Sequence, residues 1–192
     1  MDRYTMLGGS SRMRLVLVVG LLVGLGWGAL GAAPVASQDE MPPAGPPLSL
    51  SGRLRTQGHA VTPDEAVYLD TDEQITEQYV RLLVVVQELA GMRTTDPDWR
   101  PAMVAYLRAM VDLDPAQAPV PPPEGLRAVH AQAVAYREQL GEAAGQWLFA
   151  VQGADPAWLA HGNAAYGAAE SARLGWQRAL WEYYTGEPAP VP

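Results

Sequence analysis

The chain has no cysteine and no lysine; all 13 of its basic residues are arginine. Without cysteine there is no disulfide, no thiolate nucleophile, no iron–sulfur cluster, no Cys-bearing zinc site and no haem held through C-x-x-C-H. A lipid-modified cysteine is excluded for the same reason. Without lysine there is no P-loop, no Schiff base and no kinase-type phosphate lysine. Basic charge is scarce overall, 13 residues against 21 acids and a net charge of −8. That is the wrong sign for a phosphate backbone, so no nucleic-acid partner is expected. The three histidines, His59, His130 and His161, show no H-x-x-x-H or E-x-x-H spacing, so neither a metal site nor another cofactor is expected. The serines are Ser10, Ser11, Ser37, Ser49, Ser51 and Ser171. Only Ser171 lies in a segment expected to fold, and it lacks a G-x-S-x-G setting. These absences together point away from an enzyme.

What is present begins with a leader. Arg3, Arg12 and Arg14 precede a stretch, Leu15 to Ser37, that carries no charge, and Leu15 to Ala33 is almost wholly apolar or Gly. A positive n-region followed by an apolar h-region is the pattern of an export signal, with the remainder of the chain outside the inner membrane. No Arg-Arg pair supports a twin-arginine route. Cleavage and retention both remain open. Ala29-Leu30-Gly31 and Val35-Ala36-Ser37 offer small residues at cleavage spacing, and Pro34 blocks a cut after Ala33. The apolar run, however, approaches the ~20 residues that span a bilayer. Gly20, Gly24 and Gly28 repeat G-x-x-x-G, which suits either a loose signal or a packed membrane helix. Residues 1–37 are therefore read as signal peptide or uncleaved anchor, and membrane contact is expected only through this segment. Losing it leaves 20 acids against 10 arginines, a strongly acidic and well-solvated exported domain.

Residues 38–60 are rich in Pro, Gly and Ser without sustained apolar period and read as a linker. Residues 187–192 end in Pro and read as a disordered tail. The segment 61–186 carries four helical patterns, so the expected fold is all-α, an up-and-down bundle of about four helices. The first opens with Thr62-Pro63-Asp64-Glu65, a capping box with Pro in the first turn, and a second such signal at Thr71 suggests a restart. Its stripe is Ile75, Tyr79, Leu82, Val86 and Leu89, ended by Gly91. The second begins near Asp96-Pro97 and carries Trp99, Met103, Tyr106/Leu107 and Met110. The third follows the Pro119–Pro123 run with Leu126, Val129, Ala133, Tyr136, Leu140, Ala144, Trp147 and Val151. The fourth, capped by Asp155-Pro156, carries Trp158, Gly162, Ala165, Ala169, Ala172, Trp176, Leu180 and Tyr183.

Only a few residues join the third and fourth helices, which makes them antiparallel neighbours. Reflection about Ala154 sets Gly141, Ala144 and Gly145 opposite the stretch Gly162 to Gly167. Several glycines in a helix interior cost about 1 kcal/mol each. Close helix contact explains them most simply; a cavity left by the missing side chains is the alternative. In that alternative the ligand-binding residues are His130, Trp147, Trp176 and Trp181, because reflection places His130 near Trp176 to Trp181. The plain reading of His130 is a boundary histidine bonded to a neighbour, and of His161 an exposed or stacked one. The D-P-x-W pattern occurs at Asp96 and Asp155, either from an old duplicated hairpin or, better, from the same N-cap chemistry twice, since the flanking segments do not align.

The acids Asp64, Glu65, Asp70, Asp72, Glu73 and Glu77 lack the Gly and ligand series of a calcium loop and read as helix-start acids. Glu138, Glu142, Glu170 and Glu182 lie among Arg127, Arg137, Arg173 and Arg178, which suggests surface salt bridges rather than a catalytic pair.

From Asp96 onward, Asp96-Pro97-Asp98-Trp99, the run Pro122-Pro123-Glu124-Gly125-Leu126-Arg127-Ala128-Val129-His130, the Asp155-Pro156 cap and the Ala/Gly-rich last helix resemble a loose class of uncharacterised exported bacterial helical proteins. The resemblance covers about half the chain and implies a helical bundle without an assigned activity, so no site residues carry over. The expectation is an exported non-enzymatic bundle, secreted, periplasmic or tethered to the outer face of the cytoplasmic membrane, that binds a protein partner or serves the cell envelope. The alternative is a small-molecule or metal-binding bundle built on the small-residue zone and His130.

Overall fold

The computed structural model describes residues 48–92, 96–153, 155 and 157–189, and these form five α-helices and no strand. They are α1 (Leu50–Thr56), α2 (Pro63–Gly91), α3 (Trp99–Val111), α4 (Arg127–Val151) and α5 (Ala157–Thr185), with a 3-10 turn, Glu124–Leu126, leading into α4. The fold is an all-α bundle, and the four expected helices are α2 to α5. The signal or anchor expected at 1–37 lies outside the described residues, as do 38–47 and 190–192.

Side-chain chemistry sets the helix ends. Thr62 accepts from the Glu65 amide while the Glu65 carboxylate accepts from the Thr62 amide at 2.8 Å, completing the capping box of α2. The second start expected at Thr71 is not used. Its hydroxyl donates to the Val67 carbonyl one turn back, 2.7 Å, so α2 runs on unbroken. The D-P pattern is turn chemistry. Asp96, Asp114 and Asp155 each accept the amide two residues on at 2.9 Å, from Asp98, Ala116 and Ala157. Their carbonyls accept the amide three residues on, from Trp99, Gln117 and Trp158. The turn after Asp114 precedes a loop rather than a helix, so the Asp-Pro pair forms an Asx-turn wherever it occurs and is not specific to hairpin starts.

One correction concerns the linker. Residues 50–56, read as part of it, form α1, whose Leu50 and Leu54 are buried with Tyr68, Leu69, Leu126, Val129 and Leu180. Seven residues are too few to display an apolar period. Tertiary capping holds them instead: Glu73 accepts from the Leu50 amide at 2.6 Å, and Asp70 accepts from the Ser51 amide at 2.9 Å and its hydroxyl at 2.8 Å. Ser51, excluded above from folded structure, is therefore ordered and buried.

Polar and packing contacts fix the helix directions. Arg100, at the start of α3, donates to the carbonyl of Val151 at the end of α4, so these two run antiparallel. Tyr68 and Asp72 of α2 meet His130 and Arg137 of α4 in the same chain order, so α2 and α4 run parallel. Between α4 and α5, Gly125 faces Tyr183, Gly175 faces Gln132 and Gly162 faces Trp147. These pairs are symmetric about the turn to within one position. All eight stripe residues of the third pattern are buried, Leu126 in the 3-10 turn and seven on α4, each worth about 1.5–3 kcal/mol for the larger apolar ones. On α2 the buried face is Ile75, Tyr79, Leu83 and Val86, with Leu82 and Leu89 partly covered.

The small-residue zone is close packing. A Cβ on Gly162 would overlap the Trp147 indole, and Ala143, Ala144 and Ala169 are fully buried. Gly141 and Gly167, by contrast, have open space where a Cβ would go. Gly162→Ala is expected to lower stability by about 1–3 kcal/mol through overpacking against the rigid ring. Gly167→Ala is expected to raise it by about 0.5–1 kcal/mol through helix propensity. Urea unfolding followed by circular dichroism measures both; equal effects would contradict the seat assigned to Gly162.

Candidate functional site

The four residues expected to bind a ligand do not form one site. Trp147 is buried, donates its indole N–H to Asn163 at 3.1 Å and stacks at a tilt on Tyr166. It stands about 25 Å along α4 from His130 at 1.5 Å per residue. His130 is half-buried, and its Nδ1 lies 3.0 Å from the Tyr68 hydroxyl with the rings edge to face. Its partner thus comes from α2, as a bonded boundary histidine. Trp181 is half-buried, and its indole nitrogen finds no hydrogen-bond partner. Trp176 alone of the four lines an open space. His161 is exposed and meets Trp158 edge-on at 5.6 Å. His59 stacks at a tilt on Tyr184.

Beside His130 lies a polar centre that the sequence reading assigned to the surface. Arg137 has no exposed surface. Its Nη1 donates to Asp72 at 2.8 Å and to Thr76 at 3.1 Å, and its Nε donates to the Pro115 carbonyl at 3.0 Å. Tyr79 donates to the Leu113 carbonyl of the same connection. Residues 117–120 close over Tyr68 and Asp72 too tightly to admit a water molecule. The signal in the sequence was spacing. Positions 130, 133, 137, 140, 144, 147 and 151 alternate strictly by three and four, so Arg137 and His130 belong to the inner face as much as Tyr136 and Val129.

The acidic run is largely structural. Glu65 caps α2, Asp70 and Glu73 cap α1, Asp72 pairs with Arg137, and Glu77 pairs with Arg81 on its own helix. No group of three or more potential metal ligands occurs among the described residues. Of the surface carboxylates, Glu138, Glu142 and Glu182 are exposed, and Glu170 pairs with Arg173.

The space beside Trp176 is a cleft of about 280 Å³ between α2 and α5, floored by α4 and closed at one end by α1. Ala133 and Tyr136 form the floor, Val80 and Trp176 the apolar walls, and Glu73, Glu77, Arg53, Arg173, Thr76 and Gln177 the polar surface. Glu73 is committed on both oxygens, to the Leu50 amide and to Arg53, each at 2.6 Å. Burial, helped by nearby Glu170 and opposed by Arg173, pushes the Tyr136 hydroxyl up to about 12, so it stays neutral at ordinary pH.

Comparison of the chain with protein-family models, with curated proteins and with solved structures returns no match.

Arg137→Met, which strands the Asp72 carboxylate in the interior, is expected to cost about 3–5 kcal/mol in urea unfolding. Adding Asp72→Leu should recover most of the loss. If the single variant unfolds like the parent, the pair is not the internal tie described.

Two pH effects follow from buried groups. Burial raises the Glu65 pKa, but hydrogen bonds from Tyr183 and Thr62 outweigh it and leave the carboxyl below its usual value. Its contribution is therefore present above the unfolded-state pKa and lost as pH falls through the lower folded value. At the other extreme, burial raises Tyr79 to about 12, with Arg137 opposing and Asp114 adding, and Tyr136 rises alike. Their contribution is complete below pH 10 and lost as pH climbs to about 12. Thermal melts across pH should show both losses, and Tyr183→Phe should weaken the acid one only. An unchanged acid limb in that variant would remove the Glu65 assignment.

Proposed function

We propose that the chain is an exported, non-enzymatic binding protein whose ligand occupies the cleft between α2 and α5. The observation that carries this reading is the cleft itself: a concave, aromatic-floored space with polar groups at its edge, set between bundle helices where ligand sites commonly occur. The non-enzymatic part is supported by how the polar groups are engaged. Glu73 is held on both oxygens by α1, and Asp70 is spent on both oxygens capping Ser51, away from the cleft lining. Export is supported by the Arg3/Arg12/Arg14 leader and its uncharged run. No described helix is long and apolar enough to cross a membrane, so in this reading any tether is the segment from Leu15 to Ala33.

A second reading, docking of an envelope protein, draws support from the α4–α5 turn, where Phe149 is 52% exposed and lies 5.3 Å from Trp158.

The neutral dye N-phenyl-1-naphthylamine tests the first reading. It should bind the full-length protein saturably with enhanced fluorescence. Val80→Trp, which fills the cleft from the α2 wall, should abolish this while leaving the far-UV and near-UV dichroism unchanged. Phe149→Ser should leave it intact. Dye binding lost in Phe149→Ser and kept in Val80→Trp would move the ligand to the turn and reject the cleft.

A further inference from the structure

We infer that the cleft selects a small zwitterion with an apolar body, of the size and chemistry of a hydrophobic α-amino acid. This rests on the binding reading above and adds the class of ligand. Size comes first. At about 280 Å³ the cleft lies at the lower edge of ligand pockets, which run to ~300–1,000 Å³, so the occupant is small. Charge then narrows the class. The lining holds two arginines and two glutamates, and their signs are separated. The α2 wall carries Glu73 and Glu77, and the α5 wall carries Arg173. Arg53 of α1 is joined to Glu73 at 2.6 Å, which leaves Glu77 and Arg173 as opposite poles across an apolar floor.

Each pole is paired with a neighbour on its own helix. Glu77 meets Arg81 at 2.7 Å with both side chains half or more exposed. Arg173 reaches a single oxygen of Glu170, from Nε at 3.0 Å and Nη2 at 2.9 Å. The exposed Glu77–Arg81 pair contributes little and exchanges readily for a better partner, while the half-buried Arg173 carries five N–H donors and can hold a second carboxylate beside Glu170. A ligand with only an ammonium or only a carboxylate satisfies one wall and leaves the other unmatched. A neutral apolar ligand uses neither. A zwitterion places its ammonium toward Glu77 and its carboxylate toward Arg173, with its side chain over Ala133, Tyr136, Val80 and Trp176.

Calorimetry of the full-length protein with three compounds of one body tests this: L-phenylalanine, phenethylamine and 3-phenylpropanoate. Phenylalanine should bind at least tenfold tighter than either single-charge analogue. Glu77→Gln should weaken phenylalanine and phenethylamine about tenfold and leave phenylpropanoate unchanged. Arg173→Gln should do the converse, and Arg173→Lys should retain binding within a few fold; dichroism confirms that each variant is folded. The inference is overturned if a single-charge analogue matches phenylalanine, or if the charge variants shift all three compounds alike. It is also overturned if none of the three binds while the neutral dye still fills the cleft, a result that leaves the binding reading standing. Should the dye fail as well, the binding reading falls with it.

Discussion

A guanidinium with no exposed surface holds this bundle in register. An isolated buried charge costs several kcal/mol, and Arg137 offsets that cost only because Asp72, Thr76 and the Pro115 carbonyl converge on it. Those three partners belong to α2 and to the connection that follows α3. The α2–α3 and α4–α5 pairs are aligned by their short connections, but α2 and α4 run parallel and share no turn. Arg137 supplies the missing alignment, and His130 repeats it one step away through Tyr68. The same guanidinium pins the connection between α3 and α4, which is rich in Pro and has few backbone hydrogen bonds of its own.

α4 is thus the central element, with a different kind of contact on each side. Toward α5 it packs closely, with side chains seated over Gly125, Gly162 and Gly175. Toward α2 it is held by the polar centre. α2 and α5 meet each other at Glu65 and Tyr183 near one end and flank the cleft further along. The small side chain of Ala133 leaves the floor low, and of the rim charges Glu77 is the most exposed. The cleft therefore lies on the α2 side of α4. The glycine-rich α4–α5 seam, where missing side chains suggested a cavity, is filled by Trp147.

The strongest patterns in the chain were those of local chemistry. The apolar stripe of α4 is buried at every position read from its spacing, because a heptad pattern over seven turns has few competing solutions. The α2 capping box and the Asp-Pro turns likewise involve residues two or three apart. α1 escaped notice because its caps, Asp70 and Glu73, lie about 20 residues away in the chain. Arg137 looks like a surface residue by charge, although its spacing sets it on the inner face.

Composition and periodicity alone determined that the segment after the linker is helical, about how many long helices it holds, most of the apolar face of α4, and which cysteine- and lysine-dependent chemistries are closed to the chain. Those properties depend on residues within a turn or two of one another. Only the tertiary structure decided that Arg137 pairs with Asp72, that Trp147 fills the seam, and that Trp176 joins Tyr136 and Val80 around a cleft. Each of these depends on how three helices cross, and that geometry comes from the summed packing of distant side chains, which no local pattern encodes.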